Sequence, residues 1–206
     1  DKVVQAAEGN EKFKHLILVG EKDPGISDVL WYNDLVADHP PEVDVYDAAD
    51  DEMAALLYTS GTTGVPKGVM LSHSNLYNDA IAAAKTQKLT HEDVGLSVLP
   101  LAHSYGLIVM IAALHVGPRS VMLSFFEPDV VADACEKYGV TTMTVVPTML
   151  TYLLQADVDP SKFEALHTVI CAAAPLSKEL KEEFESRFGC VVLEGYGLTE
   201  GSPCVS

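Results

Sequence analysis

Short apolar runs recur along the 206-residue chain, separated by longer stretches in which apolar residues return every three or four positions. The short runs predict strands at Leu16–Val19, Ala54–Thr59, Gly68–Leu71, Leu96–Leu99, Ser120–Leu123, Thr142–Val145, Thr168–Cys171 and Val191–Glu194. The longer stretches predict helices at Ile26–Ala37, Asn75–Gln87, Gly106–His115, Pro128–Tyr138, Pro147–Gln155 and Lys178–Phe188. Ser74 is placed to cap the second of these, and Glu127-Pro128-Asp129 to open the fourth. Gly139 and Gly189 stand where two others must stop. Strands rich in Val, Leu and Ile, alternating with helices, predict an α/β fold of largely parallel sheets covered by helices. The segment from His39-Pro-Pro-Glu42 through the acidic run Asp44–Glu52 reads as a surface connection, and no internal repeat is present.

One stretch raises a membrane reading, because Val94–Pro118 contains no Asp, Glu, Lys or Arg and is long enough to span a bilayer. Pro100, His103, Ser104, Gly106 and His115 interrupt it, however, and leave only Leu107–Leu114 continuously apolar. A buried strand, a turn and a buried helix fit better, so no membrane span is expected.

Composition narrows the partners. Acidic residues number 30 against 13 basic ones, a net charge of −17, which repels nucleic acid and excludes a polynucleotide partner. Cys135, Cys171, Cys190 and Cys204 show no C-x-x-C spacing and read as buried thiols in a reducing compartment, hence a cytoplasmic location.

The densest chemistry lies in Thr59–Gly68, which reads T-S-G-T-T-G-V-P-K-G directly behind the apolar run Ala54–Tyr58. Hydroxyls, glycines and one lysine launched from a strand end suit phosphate: exposed backbone N–H groups wrap an anion and lysine adds charge. The Walker pattern fails, because Pro66 stands where that loop needs glycine and Gly68 has no hydroxyl for a metal.

The loop resembles that of the adenylate-forming (AMP-binding) superfamily, most like acyl-CoA synthetases and fatty-acid–CoA ligases. The similarity runs from Leu57 through Val69 into Ser72-His73-Ser74-Asn75-Leu76, and takes in Leu99-Pro-Leu-Ala-His-Ser-Tyr-Gly106, Ala172-Ala-Ala-Pro-Leu176 and Gly195-Tyr-Gly-Leu-Thr-Glu200. It implies ATP, Mg2+ and CoA as cofactors and a fatty or aryl carboxylate as substrate. Thr59, Ser60, Gly61, Thr62, Thr63, Gly64 and Lys67 would then hold the β- and γ-phosphates. Ala173, Ala174 and Pro175 would face adenine, with Gly195, Tyr196 and Gly197 on its other side. Thr199 would contact the α-phosphate, Glu200 would ligate Mg2+, and His103 would sit near the carboxylate and gate the acyl tunnel. Where amino-acid-activating relatives carry an aspartate, this chain has no acid between Asp93 and Glu127, which favours an uncharged acid. Cys171 and Ala172 replace the family's usual Ser and Gly. Tyr105, Gly106, Val146, Thr148 and Met149 are candidates for the acyl wall.

The resemblance further implies that residues 1–206 are part of the N-terminal domain, without the C-terminal domain that carries the adenylation lysine. The isolated chain is then expected to be nearly inactive and to self-associate through exposed strand edges. A non-catalytic nucleotide-binding or scaffold module of the same fold remains the alternative.

Overall fold

The computed structural model describes residues 15–23, 25, 29–60 and 64–206. The chain divides into two compact units, Asp1–Asp47 and Ala48–Ser206.

In the first unit, strands β1 (Ile17–Leu18) and β2 (Leu30–Trp31) pair in parallel, and helix α1 (Tyr32–Asp38) follows. Sequence periodicity started that helix at Ile26. Leu30 and Trp31 are extended instead, because the ladder with Ile17 and Leu18 takes up their backbone and buries Trp31. The expected helix residues 26–28 lie outside the described residues.

The second unit begins with a hairpin of β3 (Met53–Thr59) and β4 (Lys67–Ser72), paired antiparallel so that Thr59 faces Lys67 at the end of the ladder. Helix α2 (His73–Thr86) follows at once. Its cap is Ser72 rather than Ser74: Asn75 N–H donates to Ser72 Oγ and Ser72 N–H donates to Asn75 Oδ1, both at 3.1 Å. This reciprocal pair needs Asn75 at the third helical position, which sets the start two residues earlier than the periodicity does.

Five parallel strands make the main sheet: β5 (Val94–Ser97), β6 (Arg119–Met122), β7 (Thr142–Val145), β8 (Thr168–Cys171) and β9 (Val191–Glu194). Their order is β6-β5-β7-β8-β9. Helices α3 (Ser104–Val116), α4 (Pro128–Tyr138), α5 (Pro147–Gln155) and α6 (Lys178–Phe188) connect them, close to the predicted spans. Gly139 and Gly189 end α4 and α6 in the left-handed region, at φ 64° and 68°, where a side chain would be strained.

The two faces of the sheet differ. Leu96, Val121, Met143, Val145, Val169 and Val192 join Val131, Leu150, Leu153, Phe163 and Phe184 in the principal core. The alternate positions form rows on the opposite face: Ser120, Gly95 and Thr142, then Met122, Ser97, Thr144, Ile170 and Leu193. A second cluster, including Leu71, Leu76, Ala80, Ile108 and Ala112, packs α2 against α3 and the hairpin. The chain leaves β5 toward β6 and leaves β7 toward β8, on opposite sides. That reversal makes the C-terminal ends of β5 and β7 a topological switch point, where open α/β sheets bind ligands.

Candidate active site

A cavity of about 760 Å³ reaches that edge. Its floor is the second face of the sheet, and its walls are parts of α2 and α3 and the segment from Gly195 to Ser206. Of the candidate residues, His103, Ala173, Gly195, Tyr196, Gly197 and Thr199 reach it, as do Tyr105 and Gly106.

Helix α3 owes its start to His103, whose Nδ1 accepts the Tyr105 N–H at 3.1 Å. With Nδ1 an acceptor, the neutral ring carries its proton on Nε2. Gly106 is required by close approach: a Cβ there would stand 2.3 Å from the Pro100 carbonyl oxygen. Two motifs distant in sequence meet directly, with Ser104 Oγ and Thr199 Oγ1 3.2 Å apart. Tyr105 donates from its hydroxyl to the Ile170 carbonyl at 3.3 Å, and burial drives its pKa upward, aided by the neighbouring Cys171 and Cys204.

The Gly195–Thr199 wall is held by a short return of chain. Gly197 bridges antiparallel to Cys204, Tyr196 N–H donates to Ser206 O at 2.7 Å, and Val205 N–H donates to Tyr196 O at 2.9 Å. Asp79 on α2 anchors the return by accepting the Cys204 N–H at 3.0 Å. Burial raises the Asp79 pKa, and that hydrogen bond partly offsets the rise. Ala173 holds a left-handed φ of 73°, a strained conformation for a residue with Cβ.

Other candidates lie apart from the cavity. Thr59, Ser60, Gly64 and Lys67 belong to the hairpin, and Gly61, Thr62 and Thr63 lie outside the described residues. Ala174 and Pro175 are exposed and do not line the cavity. Glu200 is exposed on a 3-10 turn, Thr199–Gly201, against which β4 packs, so this turn connects the cavity wall and the β3–β4 hairpin. Val146, Thr148 and Met149 do not line the cavity, and Met149 packs against the principal core. Residue-by-residue reading missed Asp79, Ser104 and the floor residues Ser97, Thr142 and Thr144. The alternation in Thr142-Met-Thr-Val145 is the signal for that floor.

The description "AMP-binding enzyme" matches residues 2–206. The chain belongs to the AMP-binding enzyme family. Within that family it is 39% identical over 154 residues to 4-coumarate–CoA ligase-like 9 of Arabidopsis thaliana, covering 72% of this chain and 27% of the relative. It is 34% identical over 176 residues to the medium-chain fatty-acid–CoA ligase of Escherichia coli K12, covering 84% and 31%. Among solved structures, ATP-bound MatB from Rhodopseudomonas palustris superposes with a TM-score of 0.76 at 34% identity, over 83% of this chain and 34% of MatB. The chain thus spans 27 to 38% of the length of the curated relatives it matches. Among the described residues no helix is long and apolar enough to cross a membrane.

Proposed function

We propose that this chain forms the nucleotide- and carboxylate-binding part of an ATP-dependent acid–thiol ligase. In this reading residues 1–206 belong to its larger N-terminal domain, and a C-terminal domain completes the enzyme. A carboxylate oxygen attacks the α-phosphorus of ATP and pyrophosphate leaves. The thiol of CoA then displaces AMP from the acyl-adenylate. The observation that carries the reading is the convergence of Leu99–Gly106 and Gly195–Thr199 on one cavity at the switch point of the sheet, joined by the Ser104–Thr199 contact.

Two anions must meet for this chemistry, so charge has to be neutralised before oxygen approaches phosphorus. Thr59, Ser60, Gly61, Thr62, Thr63, Gly64 and Lys67 take the β- and γ-phosphates, and Thr199 the α-phosphate. Tyr196 offers an exposed ring for stacking on adenine, while Ala173, Ala174 and Pro175 supply the opposing backbone. His103 retains one N–H, on Nε2, with which to hold the carboxylate at the cavity mouth. Among the described residues no lysine or arginine lines the cavity, in keeping with an uncharged acyl or aryl tail.

Among the described residues no three acidic, histidine or cysteine side chains are grouped to cage a metal. Glu200, a single exposed carboxylate, instead fits Mg2+, which commonly takes one or two carboxylates and completes its shell with phosphate oxygens and water. Bound there, the cation supplies neutralisation of the leaving pyrophosphate. Buried thiols at Cys135, Cys171 and Cys190 agree with a reducing compartment, which for this ligase we take to be the cytoplasm.

Exchange of labelled pyrophosphate into ATP by the ligase containing this chain tests the proposal. Exchange that requires a carboxylic acid is the expected result. ATP–Mg2+ binding with no exchange under any acid would replace it with a non-catalytic nucleotide-binding module.

A further inference from the structure

The floor of the cavity is polar where its strand is otherwise apolar. Thr142 and Thr144 alternate with Met143 and Val145 along β7, so both hydroxyl-bearing side chains stand on the cavity face. They are only 9% and 8% exposed. Neither hydroxyl has a hydrogen-bond partner among the described residues, yet no side-chain oxygen among them is sealed from solvent without one. Both hydroxyls therefore open into the cavity. Gly95, beside Thr142 in the ladder, puts no side chain beside that hydroxyl; a Cβ there would be in ordinary contact with Thr142 Oγ1, at 3.5 Å. Ser97 pairs with Thr144 and extends the hydroxyl row.

Two hydroxyls that open into one cavity floor, with no protein partner among the described residues, are available to pair with a ligand atom there. The partner is neutral. Among the described residues no lysine or arginine lines the cavity to receive an anionic tail. The acids that line it are Asp79, which is engaged by the Cys204 N–H, and Glu194 at the end of β9. Depth follows from strand geometry. Val145 is level with Cys171, so Ala172, which lines the cavity at the C-terminal edge of the sheet, lies two residues beyond the level of Thr144 and four beyond Thr142. At about 3.3 Å per residue those depths are about 7 and 13 Å.

Resting on the ligase reading above, we propose that this floor recognises an uncharged oxygen function, such as a hydroxyl, carbonyl or ether, on the distal part of the acid substrate. The oxygen lies about 7 to 13 Å from the carboxylate, a span that about six to ten carbon atoms cover. Oxygenated acids are thereby selected over hydrocarbon acids of the same size, because a site built for a hydrogen bond penalises an analogue that leaves its polar groups unpaired.

The test compares 8-hydroxyoctanoate with nonanoate, which have equal numbers of heavy atoms. Affinity is measured by calorimetry on the ligase containing this chain, and kcat/KM by CoA thioester formation. The wild type should favour the hydroxy acid by about tenfold in both. Thr142→Val with Thr144→Val should erase the preference, and the corresponding double serine variant should keep it. Because the readout is a ratio between two acids, a general loss of folding does not mimic the effect. Equal affinity for the two acids, or a preference unmoved by the valines, would overturn the assignment. Preferential binding of the hydroxy acid with no conversion of either acid would instead overturn the ligase reading and leave the polar floor standing.

Discussion

Replacing Gly197 by alanine should loosen the wall that carries Tyr196 and Thr199 while sparing the principal core. The added Cβ would stand 2.0 Å from the Pro203 carbonyl oxygen and 3.0 Å from its carbon. Both are backbone atoms, so no side-chain rotation relieves the clash and the Pro203–Ser206 return must move away. Overpacking of this kind costs about 1 to 3 kcal/mol. Displacement also threatens Tyr196 N–H to Ser206 O, Val205 N–H to Tyr196 O, and Cys204 N–H to the Asp79 carboxylate. Each backbone bond contributes about 0.5 to 1.5 kcal/mol net. Partial relaxation keeps some of them, which places the local loss at about 2 to 4 kcal/mol. Amide hydrogen exchange read at Cys204, Val205 and Ser206 should then accelerate by roughly 30- to 1000-fold, at about 1.4 kcal/mol per tenfold. Amides of β7 and β8 should exchange as before, because Val145 and Val169 are packed in the separate principal core. Unchanged protection at Cys204 to Ser206 would refute the close approach.

Three further outcomes follow. Phe184→Ala should cost about 3 to 5 kcal/mol in urea unfolding, because Phe184 is fully buried with its ring centroid 4.5 Å from that of Phe188; a loss below about 1 kcal/mol would contradict that packing. Burial raises the Asp93 pKa, but the Thr90 N–H, the Thr141 and Thr90 hydroxyls and His167 together outweigh it and hold the carboxyl below its ordinary value. A depressed folded-state pKa stabilises above the unfolded value and is lost as pH falls through the folded one. Urea midpoints should therefore drop on acidification from about pH 5 more steeply in the wild type than in Asp93→Asn, and parallel curves would dismiss the effect. Burial pushes the Cys135 and Cys171 thiols up to about 12, Cys171 also feeling Glu194. Iodoacetamide at pH 8 should leave both unmodified in the native chain, by peptide mass spectrometry, and label them in denaturant.

The elements of the main sheet were legible because their signals are local. Pro128, Pro147, Gly139 and Gly189 bound helices whatever packs beside them, and α4, α5 and α6 occupy their predicted spans. Errors arose where a contact distant in sequence or a reciprocal cap decides. Leu30 and Trp31 read as helix until paired with Ile17 and Leu18. Ser74 reads as well as Ser72 for a cap until Asn75 closes on one of them. The candidate site was legible as motifs, but their meeting was not. Ser104 and Thr199 are 95 residues apart in sequence, and Asp79 reaches Cys204 across 125. Both contacts depend on the order of strands in the sheet, and local sequence does not state that order. The polar floor was legible in principle, because Thr142 and Thr144 flank Met143 with a period of two, yet a strand buried on both faces masks that alternation.

In the ligase proposed above, the acyl and nucleotide halves of the reaction share one continuous site at the C-terminal edge of the sheet. Calorimetric affinity for a nonhydrolysable acyl-adenylate mimic, set against AMP and the free acid separately, measures this most directly. Joining the halves makes the second contact intramolecular, so the mimic should bind at least about 100-fold more tightly than either half, and Gly197→Ala should weaken it. A mimic that binds no better than AMP, whatever the acyl group attached, would contradict the account.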